Sequence, residues 1–332
     1  MLGILITALV FVFIIGLCIG SFLNVCILRA LSGESIVFPA SKCPKCGNKL
    51  KWWHNIPVLS YIFLRGKCGF CKEHISIQYP IVELITGFIF TIEFMHFGVS
   101  LDTLFMWSIS ALLIVIAGTD IKEKVVFDVH TYSLIIVSVL YAIIKTGFLF
   151  WQMHYGTSGG YQPITLFFNP LTGSILGILT GVIIMEIFAR AGYLVAGTRA
   201  FGEGDTLIAA GIGSIFGWYQ LIVVLILSVI IQVLIYLPIF CKGLVVNKEW
   251  KTLASFVSFT IFAILFFIFN EKLGMGALYI ICTIILAVLG ILTCVFIFKG
   301  LREKPENRTY MPFGPAMVAA TFFAFLVEMI MG

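Results

Sequence analysis

The stretch Phe201-Gly202-Glu203-Gly204-Asp205-Thr206 lies between two hydrophobic runs that are long enough to cross a bilayer. Because its two glycines lack a Cβ atom, another backbone can approach the chain closely there. A carboxylate beside a membrane is costly to keep charged, so Asp205 indicates a functional site that needs a partner. The candidate partner is Asp120, which closely follows the apolar run Trp107–Ala117.

The composition places the chain in a membrane. Hydrophobic residues make up 61% of the chain and charged residues 11%, whereas soluble domains carry about 25% charged residues. The 332 residues have room for roughly eight to ten spans of about 20 residues. The first hydrophobic stretch, Leu2–Leu28, lacks the basic start and cleavage site of a signal peptide, so we expect it to be a retained span. The sequence therefore predicts an all-α polytopic membrane protein rather than a soluble enzyme.

Hydrophobic run length predicts about ten transmembrane helices, of which the sixth is short. We place them at 3–28, 80–98, 101–119, 131–150, 170–190, 206–217, 219–240, 253–270, 275–298 and 312–331. If all ten cross, five connecting segments fall on one side and hold every Lys and Arg except Lys145 and Lys272. The positive-inside rule makes that side the cytoplasm. Asp120 and Asp205 are then both cytoplasmic, each at a helix end.

Two Cys-x-x-Cys motifs predict a metal-binding module between the first two spans. Cys43-Pro44-Lys45-Cys46 and Cys68-Gly69-Phe70-Cys71 are separated by 21 residues, which suits a tetrahedral Cys₄ zinc site clasped by two tight turns. Gly47 and Gly69 are expected to supply flexible backbone there. Iron and disulfides are the alternatives. Because four thiolates leave no open position, the zinc is expected to be structural.

These observations divide the chain into three parts. Residues 1–28 form the first transmembrane helix, 29–79 a small cytoplasmic zinc-ribbon-like loop domain, and 80–332 a membrane-embedded domain.

Two carboxylates that share one proton can hydrolyse a peptide without a nucleophilic side chain. One activates water and the other polarises the carbonyl group, because like charges near contact do not both ionise easily. Gly202 and Gly204 are expected to shape the site and admit a substrate backbone. The residues therefore predict an intramembrane aspartic peptidase with Asp120 and Asp205 as its pair. An ion- or proton-coupled transporter and an inactive scaffold for the zinc module are the alternatives from other classes.

Four separate stretches carry a resemblance to a known family. They are Gly20-Ser21-Phe22-Leu23-Asn24-Val25 with Arg29, the zinc module from Asn55-Ile56-Pro57 to Tyr79-Pro80 and Glu83, the segment Gly202-Glu203-Gly204-Asp205 to Gly217-Trp218, and Pro312-Phe313-Gly314-Pro315. With these motifs the chain resembles the bacterial type IV prepilin peptidases, which are bifunctional membrane enzymes with a Gly-x-Gly-Asp signature.

The resemblance implies more than the residues themselves. Such enzymes cut the basic leader from type IV prepilins, or from the pseudopilins of type II secretion, at the cytoplasmic face of the bacterial inner membrane. They then N-methylate the new N-terminus with S-adenosylmethionine. Carried over by position, Asp120 and Asp205 are the catalytic pair and the four motif cysteines bind zinc. The expected partners are pilin-like substrates and the lipid bilayer, with no nucleic acid.

The methyl-donor site stays unassigned, since no nucleotide-binding βαβ pattern is present. We expect it in the N-terminal half that contains the cysteine loop.

The sequence departs from the family pattern in three places. Val126-Phe127-Asp128 replaces a Leu/Ile-Pro turn, and His54 stands where an Asp often precedes Asn-Ile-Pro. The hydrophobic pair 253–298 adds two helices to the usual eight. A presenilin-like or signal-peptide-peptidase-like protease shares the Gly-x-Gly-Asp motif, but it would explain neither the cysteine module nor the Gly-Ser-Phe-Leu-Asn opening.

Overall fold

The computed structural model describes residues 2–38, 41–155, 169–196, 201–246, 248–273, 281–282, 284–290, 292–293 and 312–331. Its helices are α1 Leu2–Ser32, α2 Leu59–Phe63, α3 Gln78–Phe97, α4 Leu101–Glu123, α5 Asp128–Tyr155, α6 Pro170–Ala196, α7 Glu203–Val246, α8 Trp250–Leu273 and α9 Gly314–Met331. A short 3₁₀ helix, Trp52–Asn55, precedes α2. The predicted helical class is confirmed.

Six described helices, α1 and α3 to α7, are long and apolar enough to cross a membrane. The apolar part of α9, Gly314–Met329, is shorter. The chain is therefore a multi-pass membrane protein, while the number of ten spans stays a prediction. Much of the predicted span 275–298 lies outside the described residues.

Helix α7 contains the two predicted helices, 206–217 and 219–240, which join at Gly217. It runs for 44 residues, with a break at Gly217, whose φ of 80° and ψ of 177° are not helical. Glycine adopts such a positive φ without steric penalty. The chain changes direction there, because a Cβ on Gly213 would lie 3.0 Å from Cδ2 of Leu221, whereas eight residues of straight helix rise about 12 Å. The predicted boundary between the two helices therefore lies at Gly217.

The chain divides into two compact units. One contains residues 1–186, 202–228 and 312–332, and the other contains 187–201 and 229–311. Both candidate aspartates and all four motif cysteines belong to the first unit. The additional pair 253–298 belongs to the second, where the hydroxyl groups of Ser255 and Thr293 form a hydrogen bond of 2.9 Å.

Helices α1 and α3 approach each other through glycines one turn apart. A Cβ on Gly16 would lie 2.7 Å from the Cα of Gly87, and one on Gly20 would lie 2.7 Å from the Cα of Glu83. Such small residues let membrane helices pack backbone against backbone. One turn later, the Asn24 Nδ2 group donates to the Tyr79 carbonyl oxygen at 3.1 Å. The Gly-Ser-Phe-Leu-Asn motif thus fixes the two helices that flank the cysteine module.

Helices α6 and α7 are equally close. A Cβ on Gly177 would collide with the carbonyl group of Gly213, and one on Gly181 would lie 2.7 Å from the carbonyl oxygen of Ala209. The small residues 209 and 213 on α7 therefore match 181 and 177 on α6. This packing holds the first half of α7 in place.

Lys145, one of the two cations that the charge pattern left out, has a partner. Its Nζ lies 3.1 Å from both carboxylate oxygens of Asp102, on α4, and the Tyr141 hydroxyl donates to Asp102 at 3.0 Å. A paired cation is less costly in a span than an isolated one. This ion pair accounts for the exception at Lys145.

Candidate active site and cysteine cluster

Asp120 lies in the last turn of α4 and is 3% exposed. The helix ends because Lys124 adopts a left-handed conformation, φ 56° and ψ 38°, and its N–H donates to the Asp120 carbonyl oxygen. The backbone of Asp120 is thus part of the helix C-cap, while its side chain is turned into the protein. A residue that the sequence placed just after an apolar run is therefore a buried carboxylate.

Asp205 lies in the first turn of α7 and is 7% exposed. The Gly202 N–H, just before the helix, donates to Asp205 Oδ2 at 3.1 Å. This is half of a capping box, in which an acid in the first turn reaches back to the cap residue. The bond fixes the orientation of the carboxylate at a helix N-terminus, where negative charge is favoured.

The two carboxylates meet where α4, α7 and α9 converge. They are near enough for their charges to interact directly. A Cβ on Gly314, at the start of α9, would contact Asp120 Oδ2 and would lie 2.9 Å from Cδ1 of Ile208. Ile208 is one turn after Asp205 and shares its helix face. The structure thus brings together two acids that are 85 positions apart in the chain.

Asp120 keeps one oxygen available. Its buried Oδ2 accepts no well-formed hydrogen bond from the described residues, although the Gly314 N–H lies nearby. A buried carboxylate oxygen without a protein donor can accept a hydrogen bond from water or share a proton with a second acid.

Gly204 leaves space for a nearby segment of the same chain. A Cβ at this position would lie 2.6 Å from the Cβ of Val126, in the segment that joins α4 to α5. Val126 belongs to the stretch in which this sequence departs from the family pattern, so the departure still packs against the signature motif. A role of Gly202 and Gly204 toward a substrate stays a prediction.

Cys43, Cys46, Cys68 and Cys71 form one cluster, with all four sulfur atoms within 4.8 Å of one another. The sulfur atoms of Cys43 and Cys71 are 3.9 Å apart. A tetrahedral zinc site with Zn–S bonds of about 2.3 Å requires sulfur separations of about 3.8 Å. The described cysteines form no disulfide. The donor set therefore fits the predicted structural zinc.

The two cysteine motifs form equivalent turns. The N–H of Gly47 donates to Cys43 and that of Lys72 to Cys68, and both donors have positive φ, 71° and 62°. Gly69, which the sequence predicted to supply flexible backbone, does not have a positive φ, and its flexibility stays a prediction. The absence of a Cβ matters at Gly69 for another reason, since one would lie 3.0 Å from Nε2 of His54.

Backbone donors prepare the second turn for a metal. The N–H groups of Cys71 and Phe70 bond the sulfur of Cys68 and lower the pKa of this thiol to about 7. A thiolate is the form that binds metal. His54 stacks edge-on against Phe70 with ring centroids 5.2 Å apart, and it supports the cluster without belonging to it.

Comparison with known proteins places the chain in a family. Residues 14–97 match the bacterial peptidase A24 N-terminal domain, and residues 107–237 match the type IV leader peptidase family. A prepilin leader peptidase/N-methyltransferase of Neisseria gonorrhoeae is 30% identical over 242 residues, which are 66% of this chain and 77% of the relative. The chain belongs to the type IV leader peptidase family. The predicted resemblance is confirmed, and the family is one of enzymes.

Other leader peptidase relatives carry the same name. The Myxococcus xanthus protein is 31% identical over 219 residues, which are 66% of this chain but 59% of the relative, so the chain spans less than two thirds of its length. The Klebsiella pneumoniae protein is 29% identical over 217 residues, or 64% of this chain and 86% of the relative. No solved structure gives a significant match. Neither the presenilin-like nor the transporter alternative finds support among these relatives.

The candidate functional residues of this leader peptidase family member are divided between the two matched regions. The four cysteines lie in the first region, and both aspartates lie in the second. Gly314 lies beyond both regions, yet it packs against Asp120. Its motif, Pro312-Phe313-Gly314-Pro315, resembles the family pattern but does not by itself indicate this role. The sequence signal for a close contact at this position was a glycine between Phe313 and Pro315 at the start of a helix.

Proposed function

We propose that this chain cleaves the basic leader from type IV prepilins or pseudopilins, with Asp120 and Asp205 as the catalytic pair. The observation that carries the proposal is the convergence of these two buried acids, within the region that matches the type IV leader peptidase family. The relatives named as prepilin leader peptidases support the substrate class.

In the proposed reaction one aspartate is ionised and the other is protonated. The ionised carboxylate takes a proton from water as the water oxygen attacks the carbonyl carbon of the scissile peptide bond. The protonated carboxyl donates a hydrogen bond to the carbonyl oxygen, which gains negative charge. When the tetrahedral intermediate breaks, the leaving nitrogen receives a proton and the carbon–nitrogen bond is lost. Burial favours one shared proton because two adjacent charges without water repel strongly.

The cysteine cluster would hold a structural zinc ion. Cys43, Cys46, Cys68 and Cys71 are the ligands, and four thiolates leave the metal no position for water. The metal would stabilise a loop that is too small to build a hydrophobic core.

N-methylation of the new N-terminus is the second proposed activity. It is supported by the relatives, whose names include an N-methyltransferase. S-adenosylmethionine would supply the methyl group, and the region that matches the A24 N-terminal domain is the place to search for its site. The proposed location is the bacterial inner membrane, with the cysteine cluster and both aspartates facing the cytoplasm, as the charge pattern predicts.

The first prediction tests the pair. Purified Asp120→Asn and Asp205→Asn variants should each lose cleavage of a prepilin by at least about 10²–10⁴-fold, the usual contribution of acid–base groups. Leader removal is measured by gel shift or mass spectrometry. Glu123→Gln is the matched control, because it changes an exposed acid at the end of the same helix, and it should cleave nearly normally. Full cleavage by either pair variant removes that residue from the mechanism.

A further inference from the structure

The segment between the first two spans, residues 33–77, exposes large apolar side chains. On α2, Leu59, Ile62 and Phe63 are 51%, 61% and 80% exposed. Their spacing of three and four residues puts them on one helix face. Trp52, in the preceding 3₁₀ helix, is 75% exposed. A contiguous apolar face of this kind marks a surface that contacts something else.

A hydrogen bond fixes the position of α2 along the axis of the neighbouring helix α3. The Val58 N–H, just before α2, donates to Glu83 Oε2 at 2.7 Å. Glu83 is five positions beyond Gln78, the first residue of α3, or about 8 Å along the helix axis. Helix α2 therefore begins beside the second turn of a candidate span rather than beyond its end.

The turn at Val58 is held firmly by this contact. Val58 has φ 59° and ψ −49°, and the Leu59 N–H donates to the Pro57 carbonyl oxygen at 2.6 Å. This three-residue turn is rare and strained, especially with a β-branched residue at its centre. Such a conformation persists only where the surroundings fix it, and Glu83, which is 6% exposed, supplies the fixed acceptor.

The same segment is strongly basic. It holds seven Lys or Arg residues against two acids, Glu34 and Glu73, and all seven cations are exposed. The Lys51 Nζ lies 4.9 Å from the ring centroid of Trp53. Tryptophan and lysine side by side are typical of the boundary between lipid headgroups and acyl chains. Basic clusters next to a span attract anionic lipids, whereas they would repel a basic leader peptide.

We propose that α2 and Trp52 form an interfacial anchor that seats the cysteine module on the anionic lipid surface beside α1 and α3. The apolar face of α2 enters the acyl boundary, and the surrounding Lys and Arg side chains contact lipid phosphates. The module thus lies against the bilayer instead of projecting into water. This proposal does not depend on the peptidase activity.

Photo-crosslinking of the full chain tests the anchor. Phe63 is replaced by p-benzoylphenylalanine, and the protein is reconstituted in liposomes that contain phosphatidylglycerol. After irradiation, mass spectrometry should find lipid adducts at position 63. The same replacement at Phe88, which is exposed on α3, is the positive control for lipid contact. Adducts at 88 without adducts at 63, or adducts at 63 that form with added prepilin instead of lipid, overturn the proposal.

A second arm tests the charge. A Lys49→Gln, Lys51→Gln, Arg65→Gln variant should give at least twofold fewer lipid adducts at position 63 in phosphatidylglycerol liposomes, about the smallest change that loss of three surface cations would produce. In purely zwitterionic liposomes the variant and its parent should give equal yields. Bound zinc is measured in each variant to confirm that the module is intact. Equal yields from both proteins in the anionic liposomes overturn the role of anionic lipid.

Discussion

At the level of single residues, the contacts of the two aspartates extend to positions that are not chemically reactive. Asp120 faces Gly314, and Asp205 bonds Gly202. At Gly314 the missing Cβ leaves space for the Asp120 side chain, and at Gly202 the backbone N–H is the donor to Asp205.

Gly314→Ala should damage the site without removing a functional group. Its Cβ would contact Asp120 Oδ2 and crowd Ile208, so the carboxylate must move. A displacement of about 1 Å can reduce catalysis about 10²-fold, and we expect a loss of that order in prepilin cleavage. Gly147→Ala is the control, because nothing lies within 4 Å of the added Cβ. Equal activity of the two variants would show that α9 does not constrain Asp120.

The sequence could identify the acids but not their neighbours. Asp205 stands out because a carboxylate between apolar runs needs an explanation. Val126 and Gly314 lie in stretches that the family pattern marks, but their contacts with residues 204 and 120, far away in the chain, are not visible in the sequence. The same holds at Gly69, where the missing Cβ leaves space for His54 and the positive φ of the turn belongs to Lys72.

At the level of elements, hydrophobic length located the described helices well and their ends less well. The helix predicted at 131–150 is Asp128–Tyr155, because polar residues extend a helix beyond the apolar run that reveals it. The break at Gly217 agrees with the predicted boundary between 206–217 and 219–240.

Gly177→Ala should destabilise the contact between α6 and α7. The added Cβ would collide with the carbonyl group of Gly213, and overpacking of this kind typically costs about 1–3 kcal/mol. Thermal unfolding in detergent should therefore begin at a lower temperature than in the parent protein. Gly173→Ala, one turn away on the same helix, has open space for its Cβ and should unfold as the parent does. If both variants unfold alike, the close approach is not important for stability.

Metal binding by the cysteine cluster should depend on pH. The pKa of Cys68, about 7, is below the ordinary thiol value of 9.0. A proton on this sulfur competes with zinc, so the affinity for zinc falls as pH drops through about 7. After chelation, zinc should rebind more tightly at about pH 8 than at about pH 6, as measured by dialysis against buffered zinc and elemental analysis.

Two variants complete this metal experiment. Cys43→Ser should lose zinc, while Cys18→Ser, outside the cluster, should retain it. Metal-free protein after full zinc loading, or equal affinity at both pH values, would contradict the assignment.

At the level of the whole molecule, the candidate functional residues are confined to one compact unit. That unit combines residues 1–186, 202–228 and 312–332, so the last helix returns to a unit begun at the N-terminus. The additional hydrophobic pair lies outside it. The two family matches end at residue 237, before the additional pair begins.

A variant that lacks residues 253–298 should therefore remain a peptidase. Removal of two predicted spans preserves the orientation of α9, and neither aspartate nor any motif cysteine is lost. We expect prepilin cleavage within about tenfold of the full chain, or roughly 1.4 kcal/mol in the barrier. Correct membrane insertion is checked by protease protection. A correctly inserted but inactive variant would show that the pair contributes to the reaction.

The hydrogen bond from Gly202 makes the two oxygens of Asp205 chemically unequal. The oxygen that already accepts the N–H is the weaker base, so an incoming proton settles on Oδ1. In the proposed reaction, proton exchange with Asp120 would run through that one oxygen. The pair would then be asymmetric before any peptide binds, because a hydrogen bond in the first turn of α7 determines which oxygen of Asp205 exchanges the proton.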